Sequence, residues 1–396
     1  MRALSKTGLP GLVGLCLAAG LTTTPAAAQD CEVKVGAAGP MSGGGAAWGL
    51  AIKGGTEFEA AWQNANGGLQ VGNRKCRVSV VSYDAPSNAA GGAAASNYFA
   101  SQGVKLIVGP VSGPENAGFR PASKRNGQLF FTTTFALDGI GPDFPLAFQC
   151  QLPPQAWGTV ALKVAKDRLG LKKLVLVAPN DQGGTDAGNA LLKYYGEVGV
   201  QGTPEWYQRG TINFGPLATR IMAAAPDAIE TGPMPPGEAT TLVRQLLEAG
   251  YKGAFGRMGT GAEQIVKGVG GVDKVGTMYW YEAVPTEEAG IAKMNGDFEG
   301  LIKGPMPENS LVYNAQLAAE QIMRGVTRAG TADDVEKVAA ALRSEPPESR
   351  YLGKGGWRCK TMYNSNQQLA FPIGMGFIVD GKKQPQQRID VPAEQP

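Results

Sequence analysis

Residues 33 to 68 read as a buried strand, a glycine-rich turn and an amphipathic helix in immediate succession, and no other stretch restricts the fold as strongly. Val33-Lys34-Val35-Gly36-Ala37-Ala38 runs into GPMSGGGAAWG, and the helix that follows sets Ala51, Gly55, Phe58 and Trp62 on one face before Asn66-Gly67-Gly68 stops it. A strand handed to a helix through such a turn predicts a doubly wound α/β sheet. The turn then lies at the carboxyl end of a parallel strand, where unpaired N–H groups of the helix start can meet an anion.

The same alternation continues along the chain. Strands are expected near 33–38, 77–83, 105–109 and 129–133, each ending in a turn, and in a parallel sheet those turns gather on one edge. After Pro153-Pro154 the pattern restarts with a helix to about Leu169 and the apolar strand Lys173-Leu174-Val175-Leu176-Val177-Ala178. Further strands are expected near Trp206-Tyr207, Ala228-Ile229-Glu230, Ala254-Phe255 and Met278–Tyr281, which makes a second α/β unit. From Glu287 to Arg343 the chain is helical, with Leu311, Ala315, Ala318, Ala319, Ile322 and Val326 on one apolar face. Helices alone cannot build a third sheet, so they are expected to cover the first unit. The resulting division is two lobes, residues 29–149 with 285–357 and residues 150–284 with 358–396. The Gln- and Pro-rich tail from Lys382 is expected to be loosely ordered.

Residues 1–28 combine a basic start (Arg2, Lys6), an apolar run from Leu9 to Leu21 and a small-residue exit at Ala26-Ala27-Ala28. The run is shorter than the roughly 20 residues a membrane helix needs, so a cleavable export signal is expected, with Gln29 as the first mature residue. Cys16 follows Gly14-Leu15, where a lipidated cysteine would follow a small residue. The 37 basic and 34 acidic residues are interspersed and offer nucleic acid no basic face.

Four cysteines follow the signal. In an oxidising compartment they suggest two disulfides, and although four cysteines allow three pairings, Cys31 and Cys76 each stand just before a strand that would lie beside the other. Cys31 with Cys76 and Cys150 with Cys359 is the pairing expected. The chain has no histidine, which removes Ser-His-Asp and Cys-His nucleophiles and histidine metal sites. GGGAAWG comes near the dinucleotide fingerprint, but Gly43, Gly45 and Gly49 miss its spacing by one residue and Asp84 lies far beyond the usual ribose-binding offset. Neither a Walker loop nor a G-x-S-x-G elbow is present. No cofactor and no catalysis are expected.

The segment GPMSGGGAAWGLAIKGGTEFEAAWQNANGG, followed by a strand ending in Tyr83-Asp84, resembles the branched-chain amino acid class of periplasmic binding proteins that feed ABC transporters. LIVGPVSGPENA, LFFTTTFA, LVLVAPNDQGG, TTLVRQLLEAGYKG and VYNAQLAAEQIMRGVTRAGTADDVEKVAAALR follow in the family's order, so the resemblance spans nearly the whole exported chain. It implies the type I periplasmic binding protein fold, two Rossmann-like lobes joined by a three-strand hinge near Cys150 and Cys359 and closing on a small ligand. It also implies a monomeric periplasmic protein whose partners are that ligand and a membrane permease. By the same resemblance, Trp48 packs on the apolar part of the ligand, the loop Ser112-Gly113-Pro114 holds a carboxylate, and Thr133-Thr134-Phe135-Ala136 adds polar contacts. On the residues alone, Ser112 could equally cap the next helix and Trp48 could be core. Alternation along the strand points Thr132 away.

The second lobe departs from the family. Relatives that bind α-amino acids commonly carry a Glu in the loop matching Arg257-Met258-Gly259-Thr260-Gly261, where it pairs with the ammonium, and a Tyr in the turn that here reads NDQGG. Gln182 or Gly183 stands in the place of that Tyr, the Arg257 loop offers Thr260 and no Glu, and the loop after Glu230 offers Met234 among prolines. An ammonium buried without a counter-charge is costly, so the expected ligand has a carboxylate and no required amine, such as an aromatic or aliphatic acid. Glu230 or Glu263 reaching an ammonium by another route keeps amino acids open, and Arg257 either meets a second acidic group or is a solvated loop residue. A ligand-sensing receptor of the same fold and, more remotely, a dinucleotide-dependent oxidoreductase are the alternatives to an importer component.

Overall fold

The computed structural model describes residues 31–391, so the expected export segment lies outside the described residues. In the first lobe β1 (Glu32–Gly39), α1 (Ala46–Ala65), β2 (Leu69–Val71), β3 (Arg74–Asp84), α2 (Ala89–Ser101), β4 (Leu106–Val108), α3 (Gly113–Asn126), β5 (Leu129–Thr132) and β6 (Ala147–Gln149) alternate. The second lobe runs α4 (Pro154–Leu169), β7 (Lys173–Pro179), α5 (Gln182–Glu197), β8 (Gln201–Tyr207), α6 (Gly215–Ala224) and β9 (Ala228–Glu230). It continues through α7 (Pro236–Glu248), β10 (Ala254–Arg257), α8 (Ala262–Val269), α9 (Val272–Val275) and β11 (Met278–Glu282). The chain then returns through α10 (Ala289–Leu301), α11 (Leu311–Ala329), α12 (Val335–Arg343), the short ribbon β12 (Glu348–Ser349) and β13 (Gly353–Lys354), and β14 (Gly356–Arg358). It ends in α13 (Lys360–Tyr363), β15 (Gln368–Ala370), β16 (Ile373–Val379) and β17 (Lys382–Ile389). Among the described residues no helix is long and apolar enough to cross a membrane.

The strands form two main sheets, ordered β14-β15-β6-β5-β4-β1-β3-β2 and β17-β16-β11-β10-β9-β7-β8. Within each, the central strands are parallel and read as continuous buried apolar runs, as sheets covered by helices on both faces do. The chain passes between the sheets three times, after β6, after β11 and after β15. The last passage follows Ala370 and not residue 357, because β14 and β15 first extend the edge of the first sheet.

Helix α11 is buried almost all round because it is packed between α1, α12 and the first sheet. It approaches α1 so closely that a Cβ on Gly55 would stand 2.2 Å from the Val312 carbonyl oxygen. Beside that contact the fully buried Glu59 carboxylate receives Arg350 through both Nη atoms (2.5 and 2.8 Å) and Gln316 Nε2 at 3.0 Å. Burial pushes the Glu59 pKa up while Arg350 opposes it. This ion pair joins α1 to the returning chain.

Two expectations are corrected. The tail from Lys382 is not loose: β17 pairs antiparallel with β16, and Pro385 falls where the ladder shifts register between Met375 and Phe377, a place that tolerates a missing N–H. Cys31 and Cys76 are bonded, tying the start of β1 to β3, but Cys150 and Cys359 are not bonded to each other. Alternation along the strands explains this: Phe131, Phe148 and Cys150 face one core, whereas Phe130, Ala147 and Cys359 face another, with the first sheet between them.

Replacing Gly55 by Ala should destabilise the protein by about 3 kcal/mol, the upper end of the overpacking range, because the obstructing atom is backbone. Gly196→Ala, on an exposed turn of α5 with open space at its Cβ position, should stabilise by roughly 0.5–1 kcal/mol. Urea denaturation of the two variants checks both signs.

Candidate functional site

In an open parallel sheet a crevice forms at the carboxyl edge where the strand order reverses. The first sheet reverses between β1 and β4, the second between β7 and β9. The segments leaving these strands meet at one cavity of about 480 Å³ between the lobes. A larger open hollow of about 870 Å³, near Lys105, Gln128 and Leu146, lies at the amino ends of the strands, away from either reversal.

From the first lobe Trp48, Val111, Ser112, Gly113, Thr133 and Phe135 line the cavity, with Leu311 from the start of α11. Gln151 enters just past β6. The second lobe contributes Gly183, Gly184, Arg209, Gly232, Pro233, Gly259 and Thr260. Seven expected positions therefore meet here: Trp48, Ser112, Gly113, Thr133, Phe135, Gly183 and Thr260. Pro114, Thr134, Ala136, Gln182 and Met234 do not line it. Gln182 is exposed on the first turn of α5, and Met234 is fully buried in the core with Ile229 and Phe255.

Helix α3 begins in a reciprocal capping box. Ser112 Oγ accepts from the Glu115 N–H at 3.4 Å, and Glu115 Oε2 accepts from the N–H groups of Val111 and Ser112 at 3.2 and 3.3 Å. Ser112 thus caps the helix and faces the cavity at once. Glu115 is fully buried, and desolvation raises its pKa from 4.5 to about 8 against the pull of those N–H groups. Near neutral pH the acid that would neutralise this helix end is itself neutral, and the positive end of the dipole stays available. Pro114 has no N–H to give, which leaves that of Gly113.

The next strand end divides its hydroxyls by parity. Thr132 Oγ1 donates to the Pro110 carbonyl (2.8 Å) and accepts from the Thr134 N–H (3.2 Å), while Thr134 Oγ1 accepts from the Ala136 N–H (3.0 Å). Both are committed to shaping the loop. Thr133, between them, lines the cavity, and its Oγ1 is buried without a partner.

Across the cavity Asp181 caps α5, accepting from Gly184 N–H through Oδ1 (3.0 Å) and from Arg209 Nε through Oδ2 (2.5 Å). The α3 and α5 starts nearly touch: a Cβ on Gly113 would lie 2.8 Å from Gly183 N and Cα. Only glycines allow this approach, and it marks the lobes as closed. Leu137 N–H to Asp186 (2.9 Å), Lys267 to Glu308 (2.6 Å) and Asn309 to Gln264 (3.3 Å) bridge the rim.

Beneath the second-lobe loops lies a polar layer that differs from expectation. Arg257 is neither solvated nor turned to a ligand: it is fully buried, donating to the carbonyls of Thr231, Gly232, Met234 and Thr260, and so fixes both loops that line the cavity. Burial lowers its pKa to about 10. Glu230 is equally committed, accepting from Tyr195 Oη (2.6 Å), Gly232 N–H (2.7 Å) and Met258 N–H (2.8 Å), with its pKa raised by burial. Glu263 lines separate hollows on the far side of α8, beside Lys383 and Glu308. Among the described residues the cavity lining holds one cation, Arg209, and no acid. Sequence reasoning missed Arg209; its place two residues past the carboxyl end of β8 was the available signal.

A closed two-lobed clamp, with one site built from the reversal points of both sheets, defines a ligand-binding protein of the type I periplasmic class. The sequence profile of the periplasmic binding protein family matches residues 32–371, and the chain belongs to that family. It is 26% identical over 349 residues to the Leu/Ile/Val-binding protein BraC3 of Rhizobium johnstonii, covering 85% of this chain and 90% of that one. Leu/Ile/Val-binding protein homolog 1 of Brucella abortus is 26% identical over 86% of this chain and 89% of its own. A leucine-binding protein from Thermotoga maritima superposes with a TM-score of 0.75 at 19% identity, over 90% of this chain and 99% of that chain. A Rhodopseudomonas palustris solute-binding protein solved in complex with benzoate gives 0.73 at 17% identity, over 91% and 98%.

Because its folded pKa is raised, Glu115 binds a proton in the native state that the unfolded chain releases above pH 4.5. Stability should therefore fall as pH rises from about 4.5 to about 8, by roughly 1 kcal/mol per pH unit within that window. Glu115→Gln should flatten this slope and gain on the wild type toward pH 8, as urea midpoints measured from pH 5 to pH 8.5 will report.

Proposed function

We propose that this protein is an exported, monomeric solute-binding component that captures a small carboxylic acid by closure of its lobes and delivers it to the permease of an ABC importer. The observation that carries the reading is the unpartnered Thr133 hydroxyl buried beside the α3 start, in a cavity with no acidic side chain. A carboxylate leaving water must have its oxygens satisfied, and the Ser112 and Thr133 hydroxyls with the Gly113 N–H supply neutral donors at the positive end of a helix. Trp48, Phe135, Val111 and Leu311 provide apolar walls for the rest of the ligand.

An α-ammonium would find no counter-charge among the lining residues, which favours acids without an amine. The benzoate and 4-hydroxybenzoate complexes of structural neighbours accord with this. The names of the curated relatives favour Leu, Ile or Val instead, and that second reading requires the ammonium to be held by backbone carbonyls alone. Export and periplasmic residence rest on the composition of residues 1–28 and on the family.

A thermal-shift screen of leucine, isoleucine, benzoate and 4-methylpentanoate separates the two. A true ligand at 100 times its Kd should stabilise by about 2.7 kcal/mol. Shifts with the amine-free acids and none with the amino acids are expected; the reverse pattern refutes the amine-free assignment. Thr133→Val should weaken the active acid by roughly tenfold to a hundredfold in calorimetry, while the unliganded protein keeps or gains stability because a buried unpaired hydroxyl is removed.

A further inference from the structure

Arg209 stands at the end of β8 and reaches the cavity from the second lobe. Asp181 holds its Nε at 2.5 Å, which fixes the plane of the guanidinium, and Nη1 is then buried without any hydrogen-bond partner. Arg257, fully buried in the same lobe, shows the contrast, since it is saturated by four backbone carbonyls. Arg209 lines the cavity, so an acceptor seated beside its guanidinium can take the hydrogen bond that Nη1 lacks.

The charges limit what that acceptor is. Asp181 already balances Arg209. The facing starts of α3 and α5 contribute roughly half a positive charge each, enough together for one carboxylate. Glu238 lies close to the same arginine and accepts from Tyr207 Oη and from the Gly210 N–H (3.0 Å), so a second anion at Nη1 would meet acidic surroundings. An ammonium has no lone pair to offer Nη1.

We infer that the ligand carries, besides its carboxylate, a second and uncharged oxygen acceptor, a ketone or hydroxyl, and that Arg209 reads it through Nη1. The inference rests on the carboxylate reading above. It makes Arg209 a specificity residue and the substrate class an oxo- or hydroxy-substituted monocarboxylic acid.

Calorimetry on the full exported chain tests this with two matched pairs, 4-methylpentanoate against 4-methyl-2-oxopentanoate and benzoate against 4-hydroxybenzoate. In the wild type at least one oxygenated acid should bind tenfold or more tightly than its parent, a difference of about 1.4 kcal/mol. In Arg209→Met that ratio should fall to within about twofold, on top of any loss of affinity shared by both acids of a pair once Asp181 is left without its partner; a purely structural arginine would produce the shared loss and leave the ratio standing. Should Arg209→Met fail to fold, Arg209→Lys, which keeps the charge and loses the fork, should lower the ratio at least threefold. Equal binding within both wild-type pairs, or a ratio that survives either substitution, overturns the inference and leaves the carboxylate reading standing. If none of the four acids binds, both fall together.

Discussion

The cleft depends on two helix starts held almost in contact. The α3 and α5 N-termini come from different lobes, and each would ordinarily have its positive end neutralised by an acidic cap or by water. Here burial raises the Glu115 pKa to about 8, Asp181 is engaged by Arg209, and the glycine pair Gly113 and Gly183 brings the two starts into close approach. The result is a small slot between two helix starts whose dipoles make it electropositive, which suits the anion proposed above.

That slot needs a rigid floor. In the second lobe Glu230, Tyr195 and Arg257 spend their hydrogen-bonding capacity on the loops after β9 and β10, so charge that sequence alone would assign to ligand recognition is used to fix backbone. In the first lobe the Glu59–Arg350 pair does the equivalent for α1, whose start carries Trp48. The contacts across the rim are few, and the Lys267–Glu308 pair is largely exposed. Such exposed pairs contribute little to holding the lobes together.

Much of this was legible in the sequence because strand, turn and helix alternate with clear periodicity, and because rim residues of a parallel sheet follow directly from where strands end. Ser112, Gly113 and Thr133 fall out of that rule, whereas Gly183 comes from the family resemblance. What was hidden depends on side-chain parity and three-dimensional saturation. Cys150 and Cys359 face opposite sides of the first sheet, which cysteine counting cannot reveal. Arg257 and Arg209 sit at comparable strand ends, yet one is consumed by carbonyls and the other is left with a buried unpaired nitrogen. Met234 lost its expected place to Gly232 and Pro233 because the loop turns its backbone to the cavity and its large side chain to the core. The tail was misread because Gln- and Pro-rich composition masks a strand on a sheet edge.

The most direct test of the account is the ionisation of the bound ligand itself. A carboxylic acid that binds, enriched with ¹³C at its carboxyl carbon, can be titrated in the complex by NMR. If the carboxylate lies between the helix starts with Thr133 donating to it, its pKa should be lower when bound than when free, and the ionised form should persist below pH 4. A bound pKa raised above the free value would mean that the carboxyl group sits in the apolar part of the cavity, and would contradict the placement of the anion on which this account rests.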